Sequence, residues 1–90
     1  MILKEICKKN SWEGENTLMV SNQGTFWVRC FMPGKWDYKY KVSVDHALSF
    51  IDGCDLPQDE KERLHMMVWD ADKVRIDRNI ARRRALSSRF

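Results

Sequence analysis

Trp36-Asp37-Tyr38-Lys39-Tyr40-Lys41-Val42-Ser43-Val44 is the stretch on which the fold turns. Trp36, Tyr38, Tyr40, Val42 and Val44 alternate with Asp37, Lys39, Lys41 and Ser43. A period of two sustained this long predicts a strand with one buried face and one wet face. The period changes directly afterwards. Ala47, Leu48 and Ile51, within Asp45 to Asp52, stand at helical spacing. Ser43 or Asp45 suits the start of that helix and Gly53 its end. The switch divides the chain into a sheet part, residues 1–44, and a helical part, residues 45–90.

Upstream, Met32-Pro33-Gly34-Lys35 carries the type II turn signature, proline second and glycine third. Before it, Thr25 to Met32 is apolar on both alternating faces. Phe26, Val28, Cys30 and Met32 oppose Trp27, Arg29 and Phe31. That pattern predicts an interior strand. Ser21-Asn22-Gln23-Gly24 reads as a hairpin connection back to a strand over Thr17 to Val20. Asn10 to Asn16 is polar and reads as a loop anchored by Trp12. Ile2 to Lys8 reads as a first strand whose two sides are poorly sorted.

Downstream, Asp55-Leu56-Pro57-Gln58-Asp59-Glu60 predicts a second helix start, with Asp55 as cap, proline in the first turn and acids at the positive dipole end. Leu64, Met67, Val68, Ala71, Val74, Arg78 and Ala81 then trace one stripe. No proline or glycine interrupts Gln58 to Phe90, so the segment is one long helix or two that bend near Asp70-Ala71-Asp72. Trp69, Ile76 and Ile80 lie off the stripe, which implies burial on two sides or a partner.

The expected fold is therefore α+β: an antiparallel meander of three to four strands, then two helices packed on one face, the last long and arginine-rich. The expected core is Phe26, Val28, Tyr38, Tyr40, Val42, Leu48, Ile51, Leu64, Val68 and Ala71. Ninety residues suit one domain. At 43% apolar and 32% charged, the composition is that of a globular chain. No apolar run approaches the roughly 20 residues of a membrane span, and no signal peptide is visible at the N-terminus. Cys7, Cys30 and Cys54 are odd in number and widely spaced, which predicts free thiols and a reducing, cytoplasmic setting.

Charge is the strongest functional signal. Asp52, Asp55, Asp59, Glu60 and Glu62 face only Lys61 in their segment. From Val74 onward, Arg75, Arg78, Arg82, Arg83, Arg84 and Arg89 face only Asp77. Acids first and arginines last is ordinary helix design, but three consecutive arginines exceed what a helix end needs. Guanidinium forks match phosphate and carboxylate oxygens, and positions 75, 78 and 82 share one helix face. The wet sheet face adds Arg29, Lys39 and Lys41, with Trp27 and Phe31 as apolar or stacking contacts. Trp69 is a candidate anchor for a protein partner.

No zinc spacing joins the cysteines with His46 and His65. No group of residues meets the requirements of an active site, and no phosphate or dinucleotide loop is present. The expectation is thus a non-enzymatic chain without cofactor or metal, docking onto a larger macromolecular assembly that handles nucleic acid, as an inhibitor or adaptor of the kind found among small bacteriophage proteins. The alternative is direct binding of double-stranded DNA or RNA through the arginine-rich helix and the basic, aromatic sheet face.

Overall fold

Four consecutive strands pair antiparallel in the order β1-β2-β3-β4, and two helices follow. The elements of the computed structural model are β1 (Leu3–Ser11), β2 (Gly14–Ser21), β3 (Phe26–Met32), β4 (Trp36–Val42), α1 (Val44–Asp52) and α2 (Gln58–Ser87). The structure describes residues 2–12 and 14–87, without the side chains of residues 86 and 87. This is the α+β meander expected, with β3 interior.

The turns work as their residues dictate. Lys35 N donates to Met32 O at 3.0 Å, and Gly34 takes the positive φ of 74° that a type II turn places there. In the β2–β3 turn the Ser21 hydroxyl accepts from the amides of Gln23 and Thr25, and Gly24 sits at φ 80°.

The first hairpin differs from the expected loop. β1 runs to Ser11 and β2 begins at Gly14, so Asn10 pairs with Glu15 and Ser11 with Gly14. Backbone pairing needs no apolar side chain, so polar residues at a sheet edge hide the strand. Trp12 is 86% exposed at the hairpin tip and is not an anchor among the described residues. The poor sorting of β1 also has a cause. The register shifts between Glu5 and Cys7, which lets Ile6 and Cys7, neighbours in sequence, both pack on the core.

Cross-strand partners share a face. One face carries Cys7, Leu18 and Val28 in one row and Val20, Phe26 and Val42 in the next. These meet Ala47, Phe50 and Ile51 of α1 and Leu64 and Val68 of α2 in one core. The expected core members Phe26, Val28, Ile51, Leu64 and Val68 are buried, and Val42, Leu48 and Ala71 are half-buried against them. Tyr38 and Tyr40 are a correction. They lie on the helix side of β4, across from Cys30 and Val28, yet they are exposed, Tyr38 by 53%. The described helices leave this corner uncovered, and the two rings stack on each other at 6.3 Å.

Ser43 caps α1, accepting from His46 N at 3.1 Å. The C-terminal end of α1 is closed from outside. Lys61 Nζ donates to Asp52 O at 3.0 Å, supplying the positive charge that the last turn of α1 lacks. His65 Nε2 lies 2.8 Å from Asp52 Oδ1, near enough for charge attraction when protonated but not aligned as a hydrogen bond. α2 starts at Gln58 with Pro57 accepting from Lys61 N, so Asp55 stands too far upstream to cap it. α2 is a single helix of 30 residues with no break near Asp70-Ala71-Asp72. None of the described helices is long and apolar enough to cross a membrane.

Candidate functional site

α2 is longer than the sheet it packs on. Thirty residues span roughly 45 Å, and the molecule measures 55 × 33 × 18 Å. Leu64, Val68 and Asp72 are its buried residues, and every described side chain from Ile76 to Ala85 is exposed. The second half of α2 is therefore an arm, and the arginines are on it.

Gly24 fixes where the arm leaves the body. A Cβ at Gly24 would stand 2.3 Å from Ala71 O and 3.0 Å from Arg75 Cβ, so α2 crosses directly over the β2–β3 turn. Only a residue without a side chain lets a helix backbone come this close. One turn of helix beyond the crossing, the surface becomes basic. Arg75, Arg78 and Arg82, together with Lys41 from β4, line a hollow of about 310 Å³, with Gln23, Thr25 and Asn79 as polar neighbours. Lys41, Thr25 and Arg75 also line an adjoining hollow of about 250 Å³ that reaches Val44.

The cations of the first hollow are not equivalent. Arg75 donates through Nε (3.1 Å) and Nη2 (2.8 Å) to Asp72 Oδ1. Asp72 is buried, and a buried carboxylate requires such a partner. Arg78, Arg82 and Lys41 have no carboxylate partner among the described residues. Three cations without a described carboxylate partner thus surround one hollow and concentrate positive charge there. Arg83 and Arg84 do not join it. Each residue turns the helix by about 100°, which carries them to other sides of the arm. Arg89 lies outside the described residues.

The other expected residues occupy the sheet face that no helix covers. There Trp27 pairs with Lys41, Arg29 with Lys39 and Phe31 with Asp37. Arg29 is committed within the chain. Its Nε and Nη2 donate to Asp37 at 2.8 and 2.7 Å, and its guanidinium lies 5.2 Å from the Phe31 ring. That bidentate pair holds the Asp37 carboxyl below its ordinary range and the Arg29 guanidinium above its own. Trp27 is half-buried with Nε1 directed to Thr25 Oγ1 at 3.4 Å, and Phe31 is half-buried. Lys39 is exposed beside the Arg29–Asp37 pair. Lys41 alone links this face to the arginines of α2. Trp69 is half-exposed on the side of α2 away from the hollow.

Two features escape sequence reading. Asp72 and Arg75 stand at the i,i+3 spacing of a helical ion pair, which is their single sequence signal. Cys7 and Cys54 are free thiols with sulfurs 3.7 Å apart in the core. Burial pushes the Cys7 thiol up to about 12, helped by its contact with Cys54. No sequence motif brings them together. Among the described residues no group of three or more His, Cys, Asp or Glu side chains is gathered as a metal site.

Comparison with protein-family models, curated proteins and solved structures finds no match to this chain.

Proposed function

We propose that this chain is a non-enzymatic binding protein that docks onto a larger macromolecular assembly, one that handles nucleic acid, by offering the basic side of its helical arm to fixed negative charge. The observation that carries this reading is the hollow where Arg78, Arg82 and Lys41 converge from two elements without a carboxylate partner among the described residues. A solvated helix end needs no such convergence with a β-strand. The arm's reach beyond the body favours insertion into a partner's recess over flat surface contact.

A second reading is supported by the same cations. Arg78 and Arg82 follow one face of a helix with Lys41 beside them, as phosphate-tracking residues do, so direct binding of duplex DNA or RNA is the alternative. Titration of the full chain with random duplex DNA separates the two. Direct binding gives an affinity that falls with log salt at a slope near −0.9 per phosphate contact, and Arg78→Ala with Arg82→Ala reduces that slope by about 2. Docking onto a protein gives weak duplex binding and loss of the partner complex with the same two substitutions. A double variant that changes neither interaction refutes both readings.

A further inference from the structure

The opposite flank of α2 carries a second pattern. Met66, Trp69, Lys73, Ile76, Ile80 and Arg83 are spaced alternately by three and four residues. That is the spacing of a coiled-coil seam. Met66, Trp69, Ile76 and Ile80 are between 43% and 61% exposed, so none of the described residues covers this seam. It lies roughly a third of a turn around α2 from Leu64 and Val68, which face the core. The basic hollow is on the other side, so the seam and the docking surface do not compete.

We propose that this flank pairs antiparallel with the same flank of a second copy of this chain. Charge selects both the occupant and the direction. The first half of α2 carries Asp59, Glu60, Glu62 and Asp70 against Lys61 and Arg63, with Asp72 committed to Arg75, and the second half carries Arg78, Arg82, Arg83 and Arg84 against Asp77. Antiparallel pairing sets each basic half beside an acidic half. Parallel pairing stacks Lys73 on Lys73 and Arg83 on Arg83, a like-charge cost at two layers of the seam. With the centre between Lys73 and Ile76, Trp69 meets Ile80 of the second copy and Met66 meets Arg83. The Lys73 stem lies along Ile76 of the second copy with its ammonium at the rim, as long cationic side chains do. This inference does not depend on the proposed function, because it uses none of the residues of the basic hollow.

Sedimentation velocity on the full chain tests it. A monomer–dimer equilibrium is expected at concentrations up to about 100 µM, the range of small interfaces. Ile76→Glu with Ile80→Glu should shift it to monomer, with helix content unchanged by circular dichroism because both positions are exposed. Lys73→Leu should tighten it by about tenfold, a gain that misfolding cannot imitate. Arg78→Ala with Arg82→Ala should leave it in place. A chain that stays monomeric throughout, or a dimer indifferent to Ile76→Glu and Ile80→Glu, overturns the proposal. Direction is read by energy transfer in a Cys30→Ser background. Donor on Glu62→Cys and acceptor on Arg84→Cys of a different copy should transfer strongly, and both labels on Arg84→Cys weakly; the reverse ranking overturns the antiparallel arrangement.

Discussion

A methyl group on Gly24 would enter the backbone of α2. The residue sits at φ 80°, and the new Cβ would stand 2.3 Å from Ala71 O. Neither a left-handed backbone nor that contact suits alanine. Gly24→Ala should therefore destabilise the fold by more than about 1 kcal/mol, measurable as a lower midpoint in urea, and should also displace Arg75 from the basic hollow. Cys7 offers a second check at this scale. Its folded-state value lies above its unfolded one, so its contribution to stability is complete below about 9.0 and is lost as pH rises towards about 12. The unfolded chain ionises first. At pH 9 the native thiol should resist alkylation, and urea-unfolded protein should react at Cys7 at once; equal labelling in both states would contradict the burial. The Arg29–Asp37 pair has the opposite sign. With the Asp37 carboxyl held low, its contribution stands above the unfolded carboxylate range and fades as pH falls. NMR titration of Asp37 should report a midpoint below that of a model peptide, and Arg29→Ala should restore it.

At the scale of the element, α2 is two things in one helix. Its first half is held by Leu64 and Val68 in the core, and its second half extends from a helix already formed, so it adds residues without a new nucleation cost. Removing residues 77–90 should leave the unfolding midpoint little changed while abolishing the docking proposed for the basic hollow; a large loss of stability would show that the arm is braced. Amide exchange should be faster over 77–87 than over 62–72. The elements themselves are well marked in the sequence. The change of period at Val44 to Asp45, the turn at Pro33-Gly34 and the Ser43 cap are local signals and need no tertiary context. Other features need it. Alternation in β4 tells which face Tyr38 and Tyr40 take, but not that the described helices leave them uncovered. The bulge at Ile6 shifts the phase of β1, so its apolar residues fall on no single parity. The last residues of the first hairpin, Asn10 with Glu15 and Ser11 with Gly14, pair without any apolar side chain to mark them. Of the six arginines, spacing places 75, 78 and 82 together, but no one-dimensional pattern brings Lys41 to them.

At the scale of the molecule the described residues form one apolar cluster, and every element except β4 supplies a buried residue to it. Leu18 is completely buried at its centre, between Cys7 and Val28. Leu18→Ala should cost about 2–5 kcal/mol, against a total near 5–10 kcal/mol for a domain of this size. Strands and helices should then melt together, with far-ultraviolet and tryptophan signals lost over the same denaturant range; separate transitions would mean that the helices hold without the sheet.

The crossing at Gly24 acts as a fulcrum. α2 has no hinge between its pinned half and its overhang, so the overhang cannot swivel to suit whatever it meets. Its bearing relative to the sheet is set before any encounter, and little orientational freedom remains to be lost on contact. Any torque applied at the tip passes straight to Leu64 and Val68, where it works against the sheet.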